Sequence, residues 1–214
     1  MSNAILVVNA GSSSIKFSLF LEHGESLELL LGGQLEGLYN TSRFKAKDAA
    51  GAIVGEKQWV PGQPLGHDGA IAYLADSLRE HLVEHHLAAV GHRIVHGGID
   101  YAAPVRLTAE IVGHLEQLIP LAPLHQPHNL MPIRLLMANH PELPQVACFD
   151  TAFHCTQPAV AQAFALPPEI TRRGVRRYGF HGLSYEYIAS VLPEYDSDVA
   201  QGRVVVLHLG NGAS

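Results

Sequence analysis

Cysteine is nearly absent from this chain: Cys148 and Cys155 are the only two in 214 residues. They are too few for a disulfide framework and lack the C-x-x-C spacing of redox or zinc sites. A reducing, cytoplasmic setting is therefore expected. The first residues show neither the basic stretch nor the long apolar stretch of a secretion signal, and no unbroken apolar run approaches the roughly 20 residues of a membrane-spanning helix. Without such a signal, the sequon-like Asn40-Thr41-Ser42 reads as a turn. Positive charge is also scarce. With 14 Lys and Arg against 20 Asp and Glu, the net charge is -6 and the pI about 6.1, which provides no broad basic face for nucleic acid or an anionic membrane. The chain has no internal repeat, no low-complexity block and no Gly-Lys-Ser/Thr of a P-loop. What remains is 47% hydrophobic and 16% charged, enough apolar material for a sizeable core in one or two domains.

The most informative stretch is Ile5-Leu6-Val7-Val8-Asn9-Ala10-Gly11-Ser12-Ser13-Ser14-Ile15-Lys16-Phe17-Ser18-Leu19. Four consecutive branched apolar residues predict a fully buried strand, and the alternation from Ile15 to Leu19 predicts a second strand with one polar face. The turn between them has one Gly and three Ser. So little side-chain bulk lets backbone N–H groups and hydroxyls converge on one point, as phosphate binding requires, and Asn9 adds an amide at the mouth of the first strand. A merely flexible turn is the competing reading.

Further strands are expected at 27–35 and 53–60. An amphipathic helix over 66–86, with Ile71, Leu74, Leu78 and Leu82 at helical spacing, leads into a strand at 88–95. Thr108 is placed to cap a helix through Leu118 that Pro120 and Pro123 end. A helix at 130–139, a buried strand at 146–149, a helix at 184–192 and a strand at 204–209 complete an α/β pattern. A small-residue turn, Gly210-Asn211-Gly212-Ala213-Ser214, follows that last strand. It reads as the start of a phosphate-contacting loop, so a natural domain end is not expected at Ser214.

Four segments carry groups suited to chemistry. In His92-Arg93-Ile94-Val95-His96-Gly97-Gly98, an Arg at a strand end can clamp a carboxylate or phosphoryl group with its planar fork; a surface Arg is the alternative. Pro123-Leu124-His125-Gln126-Pro127-His128-Asn129 reads as a Pro-stiffened loop presenting two histidines, or simply as a solvated loop. In Phe149-Asp150-Thr151-Ala152-Phe153-His154, a carboxylate follows a buried strand, a place suited to Mg²⁺ or to capping the next segment. In Arg176-Arg177-Tyr178-Gly179-Phe180-His181-Gly182, two glycines bracket an apolar wall and a donor, unless Phe180 is a core aromatic. His81-Leu82-Val83-Glu84-His85 also fits the H-x-x-E-H zinc pattern. It lies at the end of a helix whose buried stripe is already supplied, in a chain with 14 histidines, and zinc is set aside.

Asn9-Ala10-Gly11-Ser12-Ser13-Ser14-Ile15-Lys16, the Arg93, Asp150 and His181 segments, and His208-Leu209-Gly210-Asn211-Gly212 appear in one order along the chain. Together they resemble the acetate kinase family, which includes propionate kinases, over about the first half of a typical member. The resemblance implies an α/β, ribonuclease H-like fold of the actin, sugar-kinase and heat-shock ATPase class. It implies an N-terminal domain over 1–150 and, over 151–214, the incomplete start of a nucleotide-binding domain. It also implies transfer of the γ-phosphoryl of ATP to acetate or propionate with Mg²⁺ or Mn²⁺, and a homodimer at full length.

Carried over by position, Asn9 neighbours metal and phosphate, while Ser12, Ser14 and Lys16 form the first phosphate loop. Arg93 stabilises the phosphoryl group in flight, His125 and His181 bond its oxygens, and Asp150 organises the metal. Val95, Leu124 and Phe180 wall a methyl pocket. His208, Asn211 and Gly212 begin the second phosphate loop. After His125 the chain reads Gln126-Pro127-His128-Asn129 where family members have Asn-Pro-Pro-Asn. The nucleotide-binding segment, a second active-site Arg and a metal-binding Glu are expected beyond Ser214. Little kinase activity is therefore expected of these residues alone, and a non-catalytic binding module on the same fold is the competing function.

Overall fold

The structure is a computed structural model that describes residues 2–210 and residue 214. It divides into two compact units, residues 1–94 with 105–147, and 95–104 with 148–214. The short segment 95–104 groups with the later unit rather than with the residues that flank it in sequence.

The first unit is built on a hairpin and its neighbours. Strand β1 (Ser2–Ala10) pairs antiparallel with β2 (Ser14–His23), which pairs with β3 (Ser26–Glu36), then β4 (Arg43–Asp48) and β5 (Ile53–Gln58). On its other side β1 runs parallel to β6 (His85–Ile94). With β7 (Val105–Arg106) and β8 (Gln145–Phe149), the described strands form one sheet in the order β5-β4-β3-β2-β1-β6-β8-β7. Helices α1 (Gly66–Arg79), α2 (Ala109–Gln117) and α3 (Gln126–Asn139) belong to this unit. Leu6 and Val8 of β1, Ile15, Phe17 and Leu19 of β2, Leu74 and Leu78 of α1 and Leu136 of α3 share one core.

Several expectations change. Strand β1 is not buried on both faces: Ala4, Leu6, Val8 and Ala10 are buried, while Val7 between them is 37% exposed. The helix expected to reach residue 86 ends at Arg79, with a short 3-10 turn over Glu80–Leu82. His85 and His86 pair with Ser2 and Asn3 instead, because ladder bonds to β1 satisfy their backbone. His81 and His85 therefore share no helical face, which removes the geometry of the zinc pattern. Strand β4 was not anticipated, although Phe44 and Ala46 are buried in alternation with Lys45 and Lys47. Helix α3 starts at Gln126 rather than Leu130, since Pro127 fits a first helical turn, where no N–H partner is needed.

In the second unit, α4 (Ala159–Gln162), α5 (Pro168–Thr171), α6 (Gly182–Tyr195) and α7 (Ser197–Ala200) follow the end of β8. The strand expected over 204–209 does not form. Residues 203–207 lie in no strand, His208 exchanges backbone N–H···O bonds with Ser214 at 2.8 and 3.1 Å, and Val205, Leu207 and Leu209 are exposed. A strand-like composition yields a strand only where a neighbour completes its ladder.

Candidate functional site

In the first unit the sheet register aligns three polar residues. Asn9 is the cross-strand partner of Lys16, and Val8 pairs with His92, which sets Arg93 beside Asn9 on the adjacent strand. Arg93 Nη1 donates to Asn9 Oδ1 at 3.5 Å. Asn9 and Arg93 are half-buried and Lys16 is exposed, on the opposite side of β1 from the buried Val8. The strand period of two produces this separation: the Val8 level faces the core and the Asn9 level faces away from it.

The turn beyond Asn9 is closed by Gly11 N–H donating to Ser14 O at 2.8 Å, with Ser12 exposed and Ser14 half-buried. Side chains from distant segments hold it. His67, in the first turn of α1 and 1% exposed, lies with Nε2 2.8 Å from Gly11 O and Nδ1 2.8 Å from Tyr39 Oη. Asn129 of α3 donates to Ala10 O at 2.6 Å. Nothing in the sequence singled out His67 beyond its place after Gly66, and Asn129 was noted only as part of a loop.

Next to Arg93 in sequence, His92 is buried with Nε2 2.8 Å from Gln145 Oε1, and the Gln145 amide group donates to Ile133 O at 3.4 Å. That donation leaves Oε1 as the acceptor, so Nε2 of His92 carries the proton. Burial pushes His92 down to about 4, against the opposing pull of its bond to Gln145. At neutral pH it therefore places no positive charge next to the Arg93 guanidinium.

The expected loop with two histidines is instead the start of α3. Leu124 is 74% exposed, and His125 is exposed at the N-terminal boundary of the helix. Gln126 is buried and donates to Leu115 O at 3.3 Å. His128 stacks on His67 at 5.3 Å between ring centroids, and burial together with His67 and His125 lowers its pKa. Gln126 thus ties α3 to α2, and His128 supports His67.

In the second unit Asp150 is buried at the end of β8, and its carbonyl accepts from Gly182 N–H at 2.9 Å. A Cβ at Gly182 would sit 2.2 Å from that carbonyl oxygen, so only glycine allows this approach. His181, immediately before, is the one described non-glycine residue with positive φ, at 57°, and opens α6. Its Nδ1 lies 2.8 Å from Ser214 Oγ and its ring stacks on His208 at 4.1 Å, while His208 Nδ1 lies 3.2 Å from Ser184 Oγ. His154 Nε2 bonds Phe180 O at 3.0 Å, and the His154 ring fills the space a side chain at Gly179 would need. Val95 is buried, Phe180 is partly exposed, and His96, lowered by burial, meets the Phe180 ring edge-on at 5.8 Å between centroids. The unit thus brings Asp150, Phe180, His181 and His208 together. Asn211 and Gly212 lie outside the described residues.

Among the described residues no three His, Cys, Asp or Glu side chains group as a metal cage. Mg²⁺ and Mn²⁺ do not need one. A hard cation at a phosphate site keeps several waters and takes one or two carboxylates plus the substrate phosphates, and Asp150 is a donor of that kind.

A family profile described as the Acetokinase family matches residues 4–214. The chain belongs to the acetokinase family. It is 51% identical to an acetate kinase of Rhodopseudomonas palustris over all of this chain and 54% of that protein. It is 48% identical to one of Rhizobium meliloti over 99% of this chain and 54% of that protein. A crystal structure of a propionate kinase from Francisella tularensis matches with a TM-score of 0.84 at 35% identity, covering 99% of this chain and 53% of that one. The Porphyromonas gingivalis acetate kinase structure gives 0.81 at 34%, covering 99% and 54%. The fold class is thereby that of the family, the actin-like class of sugar kinases and heat-shock ATPases. The chain spans about half the length of the curated relatives it matches. No helix among the described residues is long and apolar enough to cross a membrane.

Proposed function

We propose that this chain carries acceptor-facing and phosphoryl-facing groups of a phosphotransferase that moves the γ-phosphoryl of ATP to the carboxylate of acetate or propionate. The reaction is reversible and yields ADP and the acyl phosphate. The observation that carries this reading is the alignment of Lys16, Asn9 and Arg93 across three neighbouring strands beside the Gly11–Ser14 turn, in a chain of the acetokinase family.

In the proposed step one carboxylate oxygen of the acceptor forms the new O–P bond as the bond from the γ-phosphorus to the bridging oxygen of ADP breaks. The acceptor is already an anion at neutral pH, so no general base is assigned. What the step requires is positioning and neutralisation of charge on the phosphoryl oxygens. Arg93, held by Asn9, supplies a fixed planar cation, and Ser12, Ser14 and Lys16 supply donors at the turn. His125 and His181 bond the phosphoryl oxygens. Val95, Leu124 and Phe180 provide the apolar wall for the acid's alkyl end. His208, with Asn211 and Gly212, contacts the nucleotide phosphates. Asp150 would hold Mg²⁺ or Mn²⁺, which when bound offsets the charge of the ATP phosphates, and Asn9 is read as a metal- and phosphate-neighbouring residue.

In the same reading residues 1–150 form the substrate-side domain and 151–214 the start of the nucleotide domain, and the full-length protein is a cytoplasmic homodimer. Acyl phosphate formation, trapped as the hydroxamate, tests the function in two proteins. One is this chain, and the other is a chimera that continues it with the remaining part of the Rhodopseudomonas palustris acetate kinase. The chimera should turn over acetate or propionate with ATP, and the chain by itself far more slowly. A folded chimera that transfers to neither acid would overturn the proposal.

A further inference from the structure

The turn between β1 and β2 is set by residues far from it in sequence. His67 approaches Gly11 O through Nε2 at 2.8 Å, and because a carbonyl only accepts, Nε2 carries the proton. In the neutral ring Nδ1 is then an acceptor, and Tyr39 Oη, 2.8 Å away, donates to it. The two partners select one tautomer. His128, stacked at 5.3 Å with planes 16° apart, supports the ring, and Asn129 holds the preceding carbonyl, Ala10 O. The same neighbourhood is closed by backbone bonds, with Leu38 N–H donating to Ser13 O at 3.1 Å and Gly66 N–H to Leu38 O at 2.9 Å.

These bonds orient the turn's peptides. The described chain has no cis peptide bonds, and across a trans peptide the C=O and the following N–H point to opposite sides. Drawing Gly11 O inward to His67 turns Ser12 N–H outward. Gly11 N–H is already used on Ser14 O. Among the described residues Ser12 N–H has no backbone acceptor, and Ser12 is exposed.

We propose that His67 is a positioning residue of the phosphate turn: by fixing the Gly11–Ser12 peptide from the protein interior, it presents the Ser12 amide to a phosphoryl oxygen before the ligand arrives. This rests on the reading of the turn as a phosphate site given above. The ligand class is a phosphoryl oxyanion, the terminal group of a polyphosphate chain. The contribution of His67 is pre-organisation, since a donor already aimed loses less freedom on binding than one that must be turned into place.

The test uses the 214-residue chain and inorganic tripolyphosphate, followed through the ¹⁵N-labelled Ser12 amide, with the His67 ring nitrogens observed in a long-range ¹H–¹⁵N spectrum. The wild-type ring should show the proton on Nε2, and the Ser12 amide should shift saturably. His67→Phe, which keeps a ring without donors, should weaken binding about tenfold or more. His67→Gln, which restores an N–H donor, should recover most of that loss, a rescue that ring packing alone would not give. Tyr39→Phe removes one hydroxyl and leaves the ring in place. It should release Nδ1 into a mixture of tautomers and weaken binding by a smaller factor.

A ring protonated on Nδ1 overturns the positioning role. So does tripolyphosphate binding unchanged in both His67→Phe and Tyr39→Phe, or a Gln variant no better than Phe. A wild-type chain with the expected tautomer but no response of Ser12 to tripolyphosphate instead overturns the phosphate reading of the turn, and the proposal with it.

Discussion

The two units of this chain use apolar residues differently. In the first, Leu6, Val8, Ile15, Leu19, Leu74 and Val90 close into one core beneath paired strands, and the polar residues of the site stand on the sheet that this core supports. In the second, Val204, Val205, Leu207 and Leu209 lie exposed along a segment that forms no strand. Its close contacts are instead the His154 ring against Gly179, the Asp150 carbonyl against Gly182, and stacked rings, His181 on His208 among them. A branched apolar run is buried where neighbouring strands complete its hydrogen bonds, and stays open to solvent where they do not. Charged chemistry placed on the first kind of scaffold has a rigid base, whereas chemistry on the second depends on local contacts.

The largest effect on the reaction is expected at Arg93, which stands on the strand-paired side of that contrast. In the chimera with the Rhodopseudomonas palustris segment, Arg93→Ala should lower kcat by about 10²–10³, or about 3–4 kcal/mol, with a smaller rise in KM for ATP, because its charge acts most strongly as negative charge redistributes. Steady-state kinetics decide it, and a variant keeping more than about half its kcat removes Arg93 from the mechanism. The contrast itself can be broken by paired stability measurements. Leu74→Ala, in the core, should cost about 2–5 kcal/mol in urea unfolding, whereas Val205→Ala, 85% exposed, should change stability by no more than about 0.5 kcal/mol. Equal effects would show that the two units are not packed differently.

Buried His92 gives the first unit a pH signature. Its folded pKa, about 4, lies below the ordinary value of 6.5, so the unfolded chain binds the proton more readily. Its contribution is fully present above about pH 6.5 and is lost as the pH falls toward about 4, a change of about 3 kcal/mol. His92→Gln, which keeps a donor toward Gln145 but does not titrate, should flatten the unfolding free energy over that window. A slope unchanged in the variant would assign the pH dependence to other groups. The smaller kinetic effect concerns the acid's alkyl end: Val95→Ala in the chimera should raise the propionate-to-acetate ratio of kcat/KM roughly tenfold, the worth of about one methylene in an apolar pocket. An unchanged ratio would place Val95 outside the pocket.

Local pattern made part of this legible in the sequence. The hairpin was readable from strand periodicity on either side of a Gly-Ser turn, and the start of α2 from Thr108, whose Oγ1 accepts from Ile111 N–H at 3.2 Å. The order of the segments bearing Asn9, Arg93, Asp150 and His181 was enough to suggest the family. Non-local facts were not readable. That His67 bonds Gly11, and that Asn129 bonds Ala10 across 119 positions, follows from how α1 and α3 settle near the turn, which no periodicity records. The 204–209 segment misled for a related reason, since its composition is that of a strand and its pairing depends on residues elsewhere.

Oxygen-isotope transfer tests the proposed chemistry most directly. The chimera is given ATP, Mg²⁺ and acetate labelled with ¹⁸O in both carboxylate oxygens, and the acetyl phosphate formed is examined by ³¹P NMR. Attack of the carboxylate on the γ-phosphorus predicts ¹⁸O bound to phosphorus in the product, and Arg93→Ala should slow the appearance of that signal by about 10²–10³ without moving the label. Acetyl phosphate formed without ¹⁸O at phosphorus would contradict it.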